Sequence, residues 1–155
     1  MKFRAATLFV SLLLLVGPAS ALGAGSFKRL DRREFQGRSM IGADGKHPVR
    51  HPADLRLYFR AVELSGYGVA TPTLYWKARC NGHDYLLGFV HQRLHTSAQI
   101  STKQRCIGQQ QQEERWLESF FAVDLTWSLR HGRLTLIAGQ RQIVLIGKWL
   151  LGTNH

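Results

Sequence analysis

The stretch L-Y-W-K-A-R-C-N-G-H-D-Y at residues 74–85, continued by T-K-Q-R-C at 102–106 and E-E-R-W-L-E-S-F-F-A-V at 113–123, decides the fold. It holds both cysteines, Cys80 and Cys106, and the one clear amphipathic helix pattern. Trp116, Leu117, Phe120 and Phe121 recur at helical spacing on one stripe, which reads as a core-facing surface rather than a cofactor box. Glu113 and Glu114 lie in the first half of this helix, where negative charge suits the macrodipole. Before it, Thr73–Arg79 alternates as a strand, and Asn81-Gly82 directly after Cys80 is a strong turn signal.

Outward from there the chain reads as short strands. Phe35–Ile41 is a candidate opening strand. In Leu55–Val62, Leu55, Leu57, Phe59 and Ala61 share one face and Arg56, Tyr58, Arg60 and Val62 the other, the pattern of a half-buried antiparallel strand. Tyr85–Val90, Leu94–Ile100, Leu125–Arg130, Leu134–Ala138 and Gln142–Leu150 follow, with His131-Gly132 and Gly139-Gln140 at hairpin spacing. Ile143–Ile146 is apolar throughout and predicts a strand buried on both sides. Many strands with one helix inserted late give an α+β class. The expectation is a curled, barrel-like antiparallel sheet of about seven to eight strands with one main helix packed on it. One domain spans 35–150, and residues 22–34 read as a mobile lead-in.

The beginning of the chain resembles a secretory signal. Lys2 and Arg4 precede an apolar run, Leu8–Val16, too short to span a bilayer. Pro18 breaks it and Ala19-Ser20-Ala21 supplies a small-x-small cleavage pattern, so residues 1–21 read as a signal peptide, with Ala24 the weaker cleavage choice. No cysteine follows the run to carry a lipid, and no later segment is long and apolar enough to span a membrane. The expected localisation is periplasmic or secreted. In that compartment an even pair of cysteines reads as one disulfide, Cys80–Cys106, tying the strand that ends at Cys80 to the start of the helix. A redox or metal pair is the rival reading, though the spacing is not C-x-x-C.

The chain carries 21 Lys and Arg against 10 Asp and Glu. Loss of Lys2 and Arg4 with the signal leaves +9, which favours anionic surfaces without choosing among them. Arg56, Tyr58, Arg60, Tyr75, Lys77 and Arg79 form a candidate binding face on two adjacent strands, able to hold anionic head groups or stack bases. The alternative is an ordinary outward sheet face covered by long basic stems.

Catalytic chemistry finds little support. His47 and His51 are four apart, but Pro48 and Pro52 forbid the helix that would make them a metal pair, and no metal or cofactor is expected. A basic secreted nuclease would need two histidines as acid and base, His83 with His131 or His91 with His95, but no local motif supports it. His83-Asp84 has no nucleophile elbow, and no G-x-G-x-x-G or Walker lysine is present.

Taken together, Cys80-Asn81-Gly82, the strand Tyr85–Phe89, Thr102-Lys103-Gln104-Arg105-Cys106, the helix with Glu113, Glu114, Leu117, Phe120 and Phe121, and Leu134-Thr135-Leu136 resemble the META domain family of HslJ-type, heat-inducible bacterial envelope proteins. The F-Q-G-R-S-M and L-R-L-Y-F pieces fit its opening strands more loosely, and the likeness covers residues 35–147. Arg79 stands where the family usually has Gly, Ser39-Met40 replaces its opening tryptophan, and Trp76 and the Gly42–Pro52 loop lie outside its pattern. The resemblance implies a compact barrel-like envelope domain with no established enzymatic activity, associated with stress tolerance or secretion. It also implies a fold likened to lipid-binding pilot proteins of secretion systems. Three functions are therefore expected in order: a non-enzymatic envelope protein binding a partner protein or an anionic lipid or polysaccharide surface, a lipocalin- or pilot-like carrier, and a small secreted hydrolase. Nucleic acid is not an expected partner.

Overall fold

The computed structural model describes residues 27–63 and 70–149. The expected signal peptide at 1–21, the first residues of the expected lead-in, the glycine-bearing connection at 64–69 and Leu150, the expected end of the last strand and of the domain, lie outside them. Eight antiparallel strands close into a barrel in chain order. They are β1 (Arg33–Ile41), β2 (Arg56–Glu63), β3 (Ala70–Lys77), β4 (Gly82–Val90), β5 (Arg93–Ser101), β6 (Leu125–Arg130), β7 (Arg133–Ala138) and β8 (Arg141–Trp149). A 3-10 turn, Pro52–Asp54, precedes β2, and the helix α1 (Gly108–Phe121) connects β5 to β6. The α+β, barrel-like architecture with one main helix matches the sequence expectation.

Closure comes from β1 pairing with β8, Arg33 opposite Trp149 through to Ile41 opposite Gln142. A register shift between Gly37 and Ser39 bends β1 there. Added at Gly37, a Cβ would collide with the Pro52 carbonyl, so glycine lets the 3-10 turn lie against the strand. The β6–β7 turn places His131 and Gly132 both at positive φ, 47° and 75°, as a tight two-residue hairpin of the right twist requires.

An eight-stranded barrel is just wide enough for side chains to fill it. Here Phe35, Leu57, Phe59, Leu74, Trp76, Leu134 and Leu145 are buried from the strands, and Leu117, Phe120 and Phe121 from α1. The helix enters where the barrel is weakest: β5 and β6 share only the pairs Arg93–Thr126 and Leu94–Leu125. Phe121 stacks on Trp76 at 5.3 Å, joining helix to interior.

Two expectations need correction. Ile143 and Leu145 are buried, but Val144 is half-buried and Ile146 exposed, so β8 has one inward face and not two. A closed barrel offers each strand a single interior, to which α1 contributes side chains without covering the outside of β8. The packed domain also starts before Phe35: Leu30 is fully buried and the Phe27 ring lies 5.7 Å from that of Phe89.

Candidate functional site

The up-and-down order puts the β1–β2 loop, the β3–β4 turn and the start of α1 at one end of the barrel, and the β4–β5 and β6–β7 hairpins at the other. At the first end Cys80 and Cys106 form a disulfide with their Cα atoms 6.0 Å apart, joining the β3–β4 turn to the approach to α1. Asn81 completes this clasp. Its Oδ1 accepts from the Gln104 N–H at 2.8 Å and the Thr102 hydroxyl at 3.1 Å, and its Nδ2 lies 3.2 Å from Cys106 Sγ. Thr102 Oγ1 in turn accepts from the Gly82 N–H at 3.1 Å. Gly82 has no room for a side chain, because a Cβ would stand 2.5 Å from the Tyr75 hydroxyl. The C-N-G and T-x-x-x-C residues therefore meet in one structural knot.

Just inside the clasp lies a polar cluster that the sequence reading did not assemble. His83, one residue into β4, is 1% exposed, and Glu114 is 6% exposed on α1. His83 Nε2 and Glu114 Oε1 are 2.6 Å apart, and Glu118 Oε1 is 3.9 Å from the same nitrogen. Gln99 Nε2 sits 2.7 Å from His83 Nδ1, so the amide donates to Nδ1 and Nε2–H donates to Glu114. The imidazole stacks on Trp76, with centroids 3.9 Å apart and planes 13° from parallel. Tyr85 and Trp76 are both buried, and neither the phenol oxygen nor the indole nitrogen makes a hydrogen bond. Burial pushes the Tyr85 phenol up to about 12, and the nearby charges of Glu118 and Glu114 add to this.

Glu113 and Glu114 are thus buried anchors. Glu113 accepts from the Arg50 N–H at 3.1 Å and from the Gln109 side chain at 2.9 Å. The first turn of α1 carries no acidic residue, so the dipole account of this pair gives way to these contacts. The available signal was spacing: Glu114, Leu117, Glu118 and Phe121 fall at i, i+3, i+4 and i+7, which puts two carboxylates on the apolar stripe.

The predicted basic face is assembled by register, with Arg56 opposite Lys77, Tyr58 opposite Tyr75 and Arg60 opposite Thr73. The two tyrosine rings are 5.9 Å apart. Burial, then the charge of Glu34, raises the Tyr58 phenol. The arginines are matched to carboxylates: Arg56 to Glu34 at 3.1 Å, Arg60 to Asp84 at 2.9 Å and Arg79, beyond the end of β3, to Asp54 at 3.2 Å. Local charge on this face is largely cancelled.

On a second basic surface, neither Arg38 nor Arg50 pairs its guanidinium with a carboxylate among the described residues. Arg38, Ser39, His47, Pro48, Val49, Arg50, Pro52 and Gln109 line a cleft of about 570 Å³ at the clasp end, and the buried Glu113 carboxylate lies next to it, bound to the Arg50 N–H and the Gln109 side chain. His47 is fixed there by Nδ1–H donating to the Met40 carbonyl at 2.9 Å. The cleft borders the start of α1, whose N-cap residue Ile107 supplies no side-chain cap. Backbone N–H groups at such an end favour negative charge.

Of the nuclease pairs, His83 and His131 do not form a common site. His83 belongs to the clasp end and His131 to the opposite hairpin end. His95 Nδ1 is 2.6 Å from Asp124 Oδ1 just past α1, and His91 occupies the β4–β5 turn at φ 56°.

No family model matches this chain, and no curated protein matches it. Two solved NMR structures share the fold. One aligns at 13% identity with a TM-score of 0.55, covering 81% of this chain and 97% of its own. The other, a protein from Burkholderia xenovorans, aligns at 12% identity with a TM-score of 0.51, covering 96% of this chain and 99% of its own. At these identities the likeness is one of architecture.

Proposed function

We propose that this is an exported, non-enzymatic binding protein that works from the outside of a filled barrel, holding a phosphate-bearing anionic surface of the envelope in the Arg38–His47–Arg50 cleft. The carrying observation is the contrast in pairing: the β2–β3 arginines are ion-paired to carboxylates, whereas the guanidinium groups of Arg38 and Arg50 at the cleft have no such partner among the described residues. Proximity to the uncapped start of α1 adds the same sign of field. The disulfide suits an oxidising compartment, and the resemblance to META domains supports an envelope role without catalysis. Eight-stranded antiparallel barrels also serve as carriers. Here Trp76, Phe120 and Phe121 occupy the interior, which favours surface binding over an internal ligand.

The test is co-sedimentation with vesicles of neutral phospholipid, of neutral lipid mixed with phosphatidylglycerol, and of neutral lipid mixed with lipopolysaccharide. Binding is expected to the anionic vesicles only, with the preferred arm naming the source of the phosphate. Arg38→Ala with Arg50→Ala removes two basic contacts worth about 1 kcal/mol each, roughly thirtyfold in affinity. Arg60→Ala with Lys77→Ala changes it little. Equal binding to neutral vesicles, or an unchanged double cleft variant, overturns the proposal.

A further inference from the structure

We infer that His83, Glu114 and Glu118 form a binding site for a single divalent transition-metal ion of the zinc type. The expectation of no metal rested on His47 and His51; this set is assembled from β4 and α1, residues the chain separates by about thirty positions. One nitrogen and two carboxylate oxygens lie within 4.8 Å of one another. Imidazole and carboxylate together suit zinc and its neighbours better than calcium or magnesium, which prefer all-oxygen shells.

The framework has the parts of a built site. Glu114 and Glu118 are one helical turn apart on the same face, so a common ion can lie between them. Both flanks of His83 are held, by Gln99 at Nδ1 and by the Trp76 ring. Gln99 donates to Nδ1 here, and only with its amide turned over would its Oε1 accept an Nδ1–H as the outer partner of a metal-ligating histidine does. The Tyr85 hydroxyl, on the same face of β4 two residues along, is buried and makes no hydrogen bond among the described residues. Access exists, since the Glu118 side chain is 43% exposed while His83 and Glu114 are enclosed.

Donor atoms around a four-coordinate zinc stand about 3.4 Å apart, given bonds of about 2.1 Å. The 2.6 Å contact between Nε2 and Glu114 must therefore open, and the 3.9 Å contact to Glu118 must close. Both changes are within side-chain adjustment. In the metal-free form a proton bridges Nε2 and Glu114. On binding, the ion takes the Nε2 lone pair, the proton moves to Nδ1, and the Gln99 amide turns over so that Oε1 accepts it. The imidazole keeps its one proton, moved from Nε2 to Nδ1, so protons balance.

The test is calorimetric titration of the disulfide-intact exported chain with zinc chloride, followed by imidazole nitrogen NMR. One saturable ion per chain is expected, with His83 changing from the Nε2–H to the Nδ1–H tautomer. Glu118→Gln, at a half-exposed position that leaves the core intact, weakens binding by about tenfold or more, as does Gln99→Ala. His131→Ala, at the far hairpin, leaves it unchanged. A titration with no saturable site overturns the inference. So does wild-type affinity in both Glu118→Gln and Gln99→Ala, which would put the ion on surface histidines, or retention of the Nε2–H tautomer at saturating zinc.

Discussion

Removing the disulfide should cost this protein a large part of its stability without disturbing its folded core. Cys80 and Cys106 are 26 positions apart, so their bond removes the closure entropy of a loop of that length from the unfolded chain. In the chain-entropy treatment this amounts to about 3.5 kcal/mol at 25 °C. Both cysteines are only partly buried, so Cys80→Ser with Cys106→Ser opens no core cavity, and the loss comes mainly from the unfolded state. A domain of this size has a transition entropy near 0.25 kcal/mol/K, which converts the loss to a Tm lower by about 14 °C. Differential scanning calorimetry of the oxidised wild type and the double serine variant reads this directly. Far-ultraviolet circular dichroism at low temperature should be superimposable. Asn81 would still bind Gln104 and Thr102 in the variant, which keeps the turn in place and isolates the covalent contribution. A Tm within about 2 °C of wild type would refute the reasoning, because it would mean that the unfolded chain gains nothing from release of the loop.

Gly37→Ala should destabilise by about 1–3 kcal/mol through overpacking, since the new methyl meets the Pro52 carbonyl where β1 bends; a lower urea midpoint with an unchanged m-value is the expected result. Tyr85 ionises near pH 12 when folded against an ordinary value of 10.0, so the unfolded chain gives up its proton first. Stability therefore falls as pH rises between these values, by at most about 1.4 kcal/mol per pH unit from this group. Thermal melts of Tyr85→Phe across this window should show a shallower decline than wild type.

Strand positions were legible because a barrel wall leaves a period-two record: Leu55, Leu57 and Phe59 are all buried, and Arg56 and Tyr58 between them are not. The helix announced itself through Leu117, Phe120 and Phe121, and the disulfide through cysteine parity in a chain whose beginning reads as an export signal. Closure was not legible. Pairing of β1 with β8 joins residues more than a hundred positions apart, and nothing local in Phe35–Ile41 or Ile143–Ile146 states that they are neighbours. The Ile143–Ile146 run misled for the same reason, since a continuous apolar segment does not say how many faces are covered. The basic face on β2 and β3 was found correctly as a surface. Its neutralisation depends on Glu34, Asp84 and Asp54, which come from three other segments.

The two candidate sites share a single positioning element. Consecutive residues of α1 turn to different tasks: Glu113 holds the backbone of Arg50 at the basic cleft, and Glu114 holds His83 inside the barrel. Neither carboxylate caps its own helix, so burying them serves contacts between segments. The cost of enclosing them is offset by hydrogen bonds to a backbone amide and an imidazole. Phe121 and Leu117, on the same stripe as Glu114, lock the helix into the interior and so set the depth at which it sits. At the other limit, the disulfide holds the segment that leads into α1 against the β3–β4 turn, two residues before His83 is reached by way of Asn81 and Gly82. The knot formed by the family-like motif residues is thus remote from any chemistry of its own, yet it fixes both partners of the His83–Glu114 contact from their chain-adjacent ends. This is the physical sense in which a structural motif can be central to function: it sets the register between one strand and one helix, and both sites inherit that register.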